Sequence, residues 1–469
     1  MSKLIEPRFG LFALVLALAL SAAARARAFD TLNWSTNQNR VTADIQTAKL
    51  LKVLQQIAAT TGWQVFVEPQ ATTQTVSAKF KELPPAEALR LLLGNLNYAL
   101  VPETNSSSRL LVFGTTLRAA TELVHPDGSA NTSSQTNVIP NELIVRLKPG
   151  ARIEDIARLL GAKVIGRIDS LNAYRLKFDD PASTDSARQQ LASNPDVTSV
   201  DSNYTVDRPM SPTGIATTTV PPPSLTLKPP SDSGHPIVGL VDTAVQPLGN
   251  GLDSFLLKAI SVAGEAQLDP SVPSHGTSMA ETILTSLQAI TKGSTSVEIL
   301  PVDVYGSSAS STTFDVANGI AQAVNGGAKI INLSLGSASD STFLHDVIKQ
   351  ASSQNVVFFG AAGNTPVTTP FYPAAYPEVT AVTAIDQGQL ASYANRGSFV
   401  SAGAPGTSTV YFNSQPWQVT GTSTSAAYTS GLAAGYMDNK HSTAGQAQTF
   451  ILNNFGVKIT TSNSGQSGN

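Results

Sequence analysis

Cysteine is absent from all 469 residues, which excludes disulfide staples, thiolate metal sites and a cysteine nucleophile together. Charge is scarce as well. Asp, Glu, Lys and Arg make up 13% of the chain, against a usual share of about 25%. The formal net charge of −3 indicates no basic surface for gripping nucleic acid. Gly and Pro, at 34 and 28 residues, are near their ordinary level, which rules out a collagen-like or low-complexity chain. Past the N-terminus no run is apolar enough to span a bilayer. With 41% apolar residues and a length suited to roughly two to four folded units, the chain reads as a soluble multidomain protein. Its chemistry must rest on oxygen and imidazole groups.

What is present begins with an export signal. Lys3 and Arg8 precede an apolar run from Phe9 to Leu20, and Ala26-x-Ala28 supplies a small-residue exit. Residues 1–28 therefore read as a secretory signal peptide too short to anchor in a membrane, and the expected location is secreted or periplasmic. Residues 41–114 follow as a small α+β unit. Leu50, Leu51, Leu54, Ile57 and Ala58 recur at helical spacing, and a second helix is expected over Ala86–Leu96. Trp63, Val65 and Val67 alternate as a strand, with further strands over 97–101 and 110–113. The pattern L-x-x-I-A-x-x-T-G-x-x-V, then E-A-L-x-x-L-L, resembles the secretin and TonB short N-terminal domain. That resemblance implies contact with an envelope protein partner.

A second small unit, 139–207, alternates strand and helix in the ferredoxin-like pattern, with helices over 153–160 and 183–192 and a last strand over 197–204. Residues 208–235 hold Pro221-Pro222-Pro223 and Pro229-Pro230 amid Ser and Thr, an extended and protease-sensitive linker. The large unit, 236–460, alternates buried-type strands at 237–241, 298–304, 329–335 and 356–359 with helical segments. This predicts an α/β fold with a mainly parallel sheet covered by helices on both faces. Functional groups in such folds gather at the carboxyl ends of the strands.

Three residues of that unit carry chemistry together. Asp242 directly follows the first buried strand, His275 opens H-G-T-S-M-A, and Ser423 lies in G-T-S-T-S-A-A before an apolar helix expected over 426–437. Singly, each reads as well as a turn or helix cap. Jointly they meet a chemical need. A serine hydroxyl is a poor nucleophile until an imidazole takes its proton, and the imidazole needs a carboxylate to orient it. The order Asp, His, Ser, with no G-x-S-x-G elbow around Ser423, sets aside a lipase or esterase.

I-V-G-L-V-D-T at Asp242, H-G-T-S-M-A at His275 and G-T-S at Ser423 resemble the three signatures of the subtilases, the subtilisin-like serine proteases. The resemblance covers 236–455 and implies that Asp242 orients, His275 exchanges the proton and Ser423 attacks. A-A-G-N at 361–364 is similar to the segment whose Asn supplies the oxyanion hole, here Asn364 with the Ser423 N–H. I-I-N-L-S-L-G is similar to the strand lining the cleft. Ser334, Leu335, Gly336, Ala361, Ala362 and Gly363 are accordingly expected to bind substrate. N-E-L-I-V-R-L-K-P-G and N-P-D-V-T-S-V-D-S-N-Y resemble the subtilase propeptide, which implies a self-processed precursor first cut soon after Tyr204.

The resemblance also implies polypeptide substrates, the chain's own propeptide as a partner, and no cofactor for catalysis. Subtilases often bind structural calcium, but no D-x-D-x-D-G loop occurs, so no metal ligand is assigned. The chain departs from the family at Ala244, Thr424, Ser425, Ala427 and Glu281. Glu281 is expected to face water or to cap. These departures, with the N-terminal domain, motivate an alternative reading: a catalytically impaired subtilase acting as an envelope binding or signalling module.

Overall fold

The computed structural model describes residues 31–101, 108–115, 120, 122–124, 137–211, 213–214, 223–229 and 235–457. The signal-peptide expectation for residues 1–28 lies outside the described residues. The chain divides after Ala130 into two compact units.

The first unit contains β1 (Thr31–Ser35), β2 (Arg40–Lys49), α1 (Leu50–Thr61), β3 (Gln64–Val67), β4 (Thr75–Leu83), α2 (Pro85–Leu93), β5 (Asn97–Val101), β6 (Arg109–Phe113) and β7 (Glu122–Val124). Its two sheets run β1-β2-β4 and β5-β6-β3-β7. Helix α1 buries Leu50, Val53, Leu54, Ile57 and Ala58, the face its spacing implies. Helix α2 stops at Leu93 rather than Leu96, because Gly94 leaves helical geometry. The unit is wider than 41–114, since β1 pairs with β2 through Thr31–Ser35.

The second unit opens with β8 (Val138–Leu147), α3 (Ile153–Leu160), β9 (Lys163–Ile168), β10 (Ala173–Lys177), α4 (Pro181–Ala192) and β11 (Val197–Asp207). The strand order β11-β8-β10-β9 is the expected ferredoxin-like one. The period of two in β8 serves two cores. Leu143, Val145 and Leu147 pack with Ile153, Ala157 and Leu191 of its own helices. Ile144 turns the other way, into a cluster shared with the large domain.

Two short strands follow in the linker, β12 (Thr213–Gly214) and β13 (Thr226–Leu227). The large domain begins with β14 (Ile237–Asp242), β15 (Ile260–Ser261), α5 (His275–Thr291), β16 (Ser294–Thr295), β17 (Glu298–Asp303), β18 (Ser310–Thr312) and α6 (Thr313–Asn325). It continues with β19 (Ile330–Leu333), α7 (Thr342–Ser352), β20 (Val357–Ala361), β21 (Val379–Asp386), β22 (Gln389–Leu390) and β23 (Ala402–Pro405). A hairpin of β24 (Thr407–Phe412) and β25 (Gln415–Thr420) leads into α8 (Thr422–Lys440) and α9 (Ala444–Phe455).

The central sheet runs β15-β17-β14-β19-β20-β21-β22, with β23 beside β21. Every pair is parallel except β21 with β22. Val238, Leu240, Ile330 and Phe359 face α5, α8 and α9, while Val241, Ile331, Leu333 and Phe358 face α6 and α7. Burial on both faces is why these strands read as unbroken apolar runs.

The ferredoxin-like domain docks on α6 and α7. Its Ile144, Ile168, Ala173 and Val206 join Phe314, Phe343 and Leu344 in one apolar cluster. Two of its polar side chains satisfy orphan amides at helix starts. Asp201 Oδ2 accepts from Phe343 N at 2.8 Å and from the Ser341 hydroxyl at 3.0 Å. Asn203, fully buried, accepts from Phe314 N and the Thr313 hydroxyl at 3.2 Å each and donates to Glu142 at 2.8 Å. Strand β11 reaches Asp207, three residues past its expected end, because β18 of the large domain pairs with it. Replacing Asp201 by Ala strips α7 of this acceptor. We expect the full chain to lose about 1 kcal/mol, read as a lower denaturant midpoint at unchanged slope, with Asp201→Asn retaining most of it.

Candidate active site

Asp242, Ser334 and Ala361 stand at or just past the carboxyl ends of β14, β19 and β20, where a parallel sheet gathers its functional groups. Asp242 is fully buried. Its Oδ1 accepts from Thr243 N at 2.7 Å, and His275 Nδ1 lies 2.8 and 3.0 Å from the two carboxylate oxygens. An ionised carboxylate only accepts, so Nδ1 carries the proton and Nε2 keeps its lone pair free.

His275 is the first residue of α5. Ser274 caps it, accepting from Thr277 N at 3.0 Å. Gly276 lets this helix end close on β14. A Cβ there would collide with the Thr243 carbonyl, while Gly276 N donates to the Thr243 hydroxyl at 2.8 Å. Gln246, which sequence patterning gave no reason to single out, completes the clamp. Its Oε1 accepts from Ser274 N at 2.6 Å and the Thr277 hydroxyl at 3.0 Å, and its Nε2 donates to the Asp269 and Val272 carbonyls.

Ser423 is the second residue of α8, inside the helix rather than ahead of it. Its hydroxyl donates to the Ser334 carbonyl at 3.2 Å rather than to His275. The Ser334 hydroxyl in turn donates to the Ser423 carbonyl at 3.0 Å. Behind them, Asn332 donates to Ser334 Oγ at 2.9 Å and accepts from Ser430 Oγ at 3.1 Å. A buried polar chain thus ties α8 to the end of β19. Helices α5 and α8 pack side by side, so His275 and Ser423 head two adjacent helices.

Asn364 is exposed, but only its nitrogen is free to act. Its Oδ1 accepts from Thr422 N at 2.8 Å and the Thr422 hydroxyl at 3.0 Å. This fixes which amide atom is oxygen and leaves Nδ2 as a donor next to the start of α8, where the macrodipole favours developing negative charge. Thr422 Oγ1 also receives Gly363 N at 3.0 Å. Gly363 sits at φ +106, and a Cβ there would strike the Asn395 carboxamide. Ala361 and Ala362 are buried, as is Leu335, whose side chain belongs to the cluster with Phe343 and Tyr376 rather than to an open cleft. Gly336 passes so close to Phe371 and Tyr372 that no side chain would fit.

Of the departures, the Ser425 hydroxyl donates to the Ala404 and Pro405 carbonyls, and the Ala244 carbonyl accepts from Ser274 Oγ at 2.6 Å. Glu281 corrects the sequence expectation. It neither faces water nor caps, but is 1% exposed on α5, where Oε1 accepts from Tyr411 N at 2.7 Å and ties the helix to β24. Burial pushes its carboxyl up to about 8, against the pull of the Tyr411 N–H. Between the unfolded value near 4.5 and about 8, the folded chain holds a proton that the unfolded chain releases. Stability therefore falls as pH rises through that window, and the loss is complete above it. Glu281→Gln keeps an acceptor for Tyr411 and has no proton to lose. Its unfolding free energy, read by denaturant titration, should gain on the wild type from about pH 5 to about pH 8, by at most ~1.4 kcal/mol per pH unit, and then run parallel to it.

The subtilase family model matches residues 234–467, and that of the fervidolysin N-terminal prodomain matches residues 125–203. Over 186 residues the chain is 35% identical to the thermostable alkaline protease of Halalkalibacterium halodurans, covering 37% of this chain and 52% of that protein. The chain thus spans about half the length of that relative. It is 33% identical over 202 residues to thermitase of Thermoactinomyces vulgaris, covering 42% of this chain and 72% of thermitase. The crystal structure of fervidolysin from Fervidobacterium pennivorans superposes with a TM-score of 0.51 at 19% identity, over 65% of this chain and 56% of that one. At that identity the likeness speaks for the fold alone. With thermitase covered over more than two thirds of its length, and a prodomain match ahead of the matched family region, the chain belongs to the subtilase family.

Proposed function

We propose that the chain is an exported serine endopeptidase, made as a precursor that its own active site matures. The observation that carries this reading is the buried Asp242–His275 pair at the start of α5, with Ser423 and the Asn364 amide at the start of the adjoining α8.

The chemistry follows from those positions. Rotation about χ1 takes the Ser423 hydroxyl from the Ser334 carbonyl to His275 Nε2, an adjustment expected of a resting site. His275 accepts the hydroxyl proton as Oγ attacks the scissile carbonyl, and Asp242 stabilises the imidazolium that forms. The carbonyl oxygen becomes an oxyanion and accepts from Asn364 Nδ2 and Ser423 N. His275 then gives its proton to the leaving amine, and water releases the acyl group by the same route. The substrate strand runs past Ser334–Gly336 and Ala361–Gly363. In the precursor, β11 occupies β18 and so keeps other polypeptides out.

Residues 41–114 we assign to contact with an envelope protein, on their sequence resemblance alone. Export rests on the N-terminal signal pattern. Among the described residues no helix is long and apolar enough to cross a membrane.

Ser423→Ala should leave the precursor whole, as seen by electrophoresis of purified protein, and should abolish labelling by a fluorophosphonate probe. Asn364→Ala should lower kcat on a peptide substrate by about 10²–10³ with little change in KM. The binding-module reading takes over if the wild-type chain, freed of its prodomain, leaves Ser423 unlabelled.

A further inference from the structure

The start of the linker after the prodomain is held by two separate ladders. In the first, Thr205, Val206 and Asp207 pair with Thr312, Ser311 and Ser310, and Arg208 N adds a further rung on the Ala309 carbonyl at 3.2 Å. In the second, Thr213 and Gly214 pair antiparallel with Gln418 and Trp417 of β25, the strand that delivers the chain to Gly421 and Ser423. In sequence Pro209 to Pro212 separate the two ladders, and Pro209–Met210 is the first bond past the Arg208 rung whose amine is not a proline nitrogen.

Arg208, the last residue of the first ladder, is received in a built cradle. Its Nε donates to the Ser308 carbonyl at 2.8 Å and its Nη2 to the Gly306 carbonyl at 2.7 Å. The guanidinium lies over the Tyr305 ring, 5.2 Å from its centroid, a stacking that suits arginine better than lysine. Tyr305 is fully buried, and its hydroxyl donates to the Asp207 carbonyl at 2.9 Å, gripping the residue before Arg208. Beneath them Asp303, 4% exposed, spends Oδ1 on Tyr305 N and Gly306 N and has no hydrogen-bond partner for Oδ2. Burial raises the Asp303 carboxyl, Asp242 adds to the rise, and the Arg208 cation opposes it.

We propose that Tyr305, Gly306, Ser308 and Asp303 form an arginine-recognising subsite, which makes the enzyme select substrates with arginine as the second residue before the scissile bond. Arg208 fills this subsite in the precursor, and the maturation cut falls between Pro209 and Met210, six bonds past Tyr204. Two carbonyls aimed at a guanidinium reject a side chain that cannot supply both donors. A peptide with Gln at that place also takes away the cation whose charge favours the buried Asp303 carboxylate. The proposal rests on the serine-peptidase reading above.

The test combines the first maturation products with a pair of peptides. In a time course of the wild-type precursor, the first mature chain should begin at Met210 and the first prodomain product should end at Pro209, by mass spectrometry. Ser423→Ala should remain uncut. Cleavage of that variant would sink self-processing, whereas wild-type cleavage first at another bond would sink the register. For the mature enzyme, a quenched peptide copying residues 205–212 should exceed its Arg208→Gln counterpart in kcat/KM by ~10-fold or more. Asp303→Asn keeps an oxygen for Tyr305 N and Gly306 N but removes the charge, so it should compress that ratio severalfold. Equal turnover of the two peptides by the wild type would overturn the arginine subsite. Turnover of neither would remove the catalytic reading and this proposal together.

Discussion

The contact between Asp242 and His275 is the constraint around which the large domain is arranged. A carboxylate at the end of β14 must meet an imidazole on the first residue of α5, out of water, with one ring nitrogen bound and the other free. That meeting requires the helix end to lie almost on the strand end. Gly276 supplies the missing volume, Thr243 and Ser274 supply the hydrogen bonds, and Gln246 locks the loop between them. The same economy governs Ser423. Its helix is fixed from below by the Ser430–Asn332–Ser334 chain and from the front by Thr422 on Asn364. Each reacting group thus sits on a rigid element whose end is tied by side chains, which holds geometry better than a free loop does.

The precursor uses the same sheet architecture to hold itself shut. The ferredoxin-like domain shares an apolar cluster with α6 and α7 and supplies acceptors to both helix starts. It therefore adds to the stability of the large domain at those contacts. Its last strand completes a ladder with β18, so Thr205 to Asp207 are held extended against the large domain. The charge balance fits the picture. In a chain with so few ionic groups, Arg175 with Glu142 and Asp315, and Arg208 over Tyr305, mark the places where the two domains read each other.

Much of this was legible in the residues. Strands β14, β17, β19 and β20 are apolar on both faces, and only a buried parallel sheet makes such runs. The ferredoxin-like order followed from plain alternation, down to α3 over Ile153–Leu160. Other elements carry no such mark. Strand β4 reads T-V-S-A-K-F-K-E-L and is half-exposed throughout, and β18 is three polar residues that become a strand only because β11 lies beside them. Helices α5 and α8 begin earlier than their apolar pattern because their first turns, H-G-T and T-S-T, are held by caps and site contacts instead of core packing.

Local chemistry and chain order were enough to single out Asp242, His275 and Ser423 together, and the family resemblance of A-A-G-N added Asn364. Pairings between distant segments were beyond reach, because no local pattern encodes which partner a strand or a buried acid will find. Glu281 looked like a surface residue of a polar turn, yet its one partner, the Tyr411 amide, comes from a hairpin 130 residues away. The seating of Arg208 on the carbonyls of Gly306 and Ser308 likewise depends on the prodomain, linker and sheet meeting in space. The sequence by itself determined which motifs the chain carries and in what order; tertiary structure alone decided what surrounds them, because burial and long-range backbone pairing are properties of the folded chain.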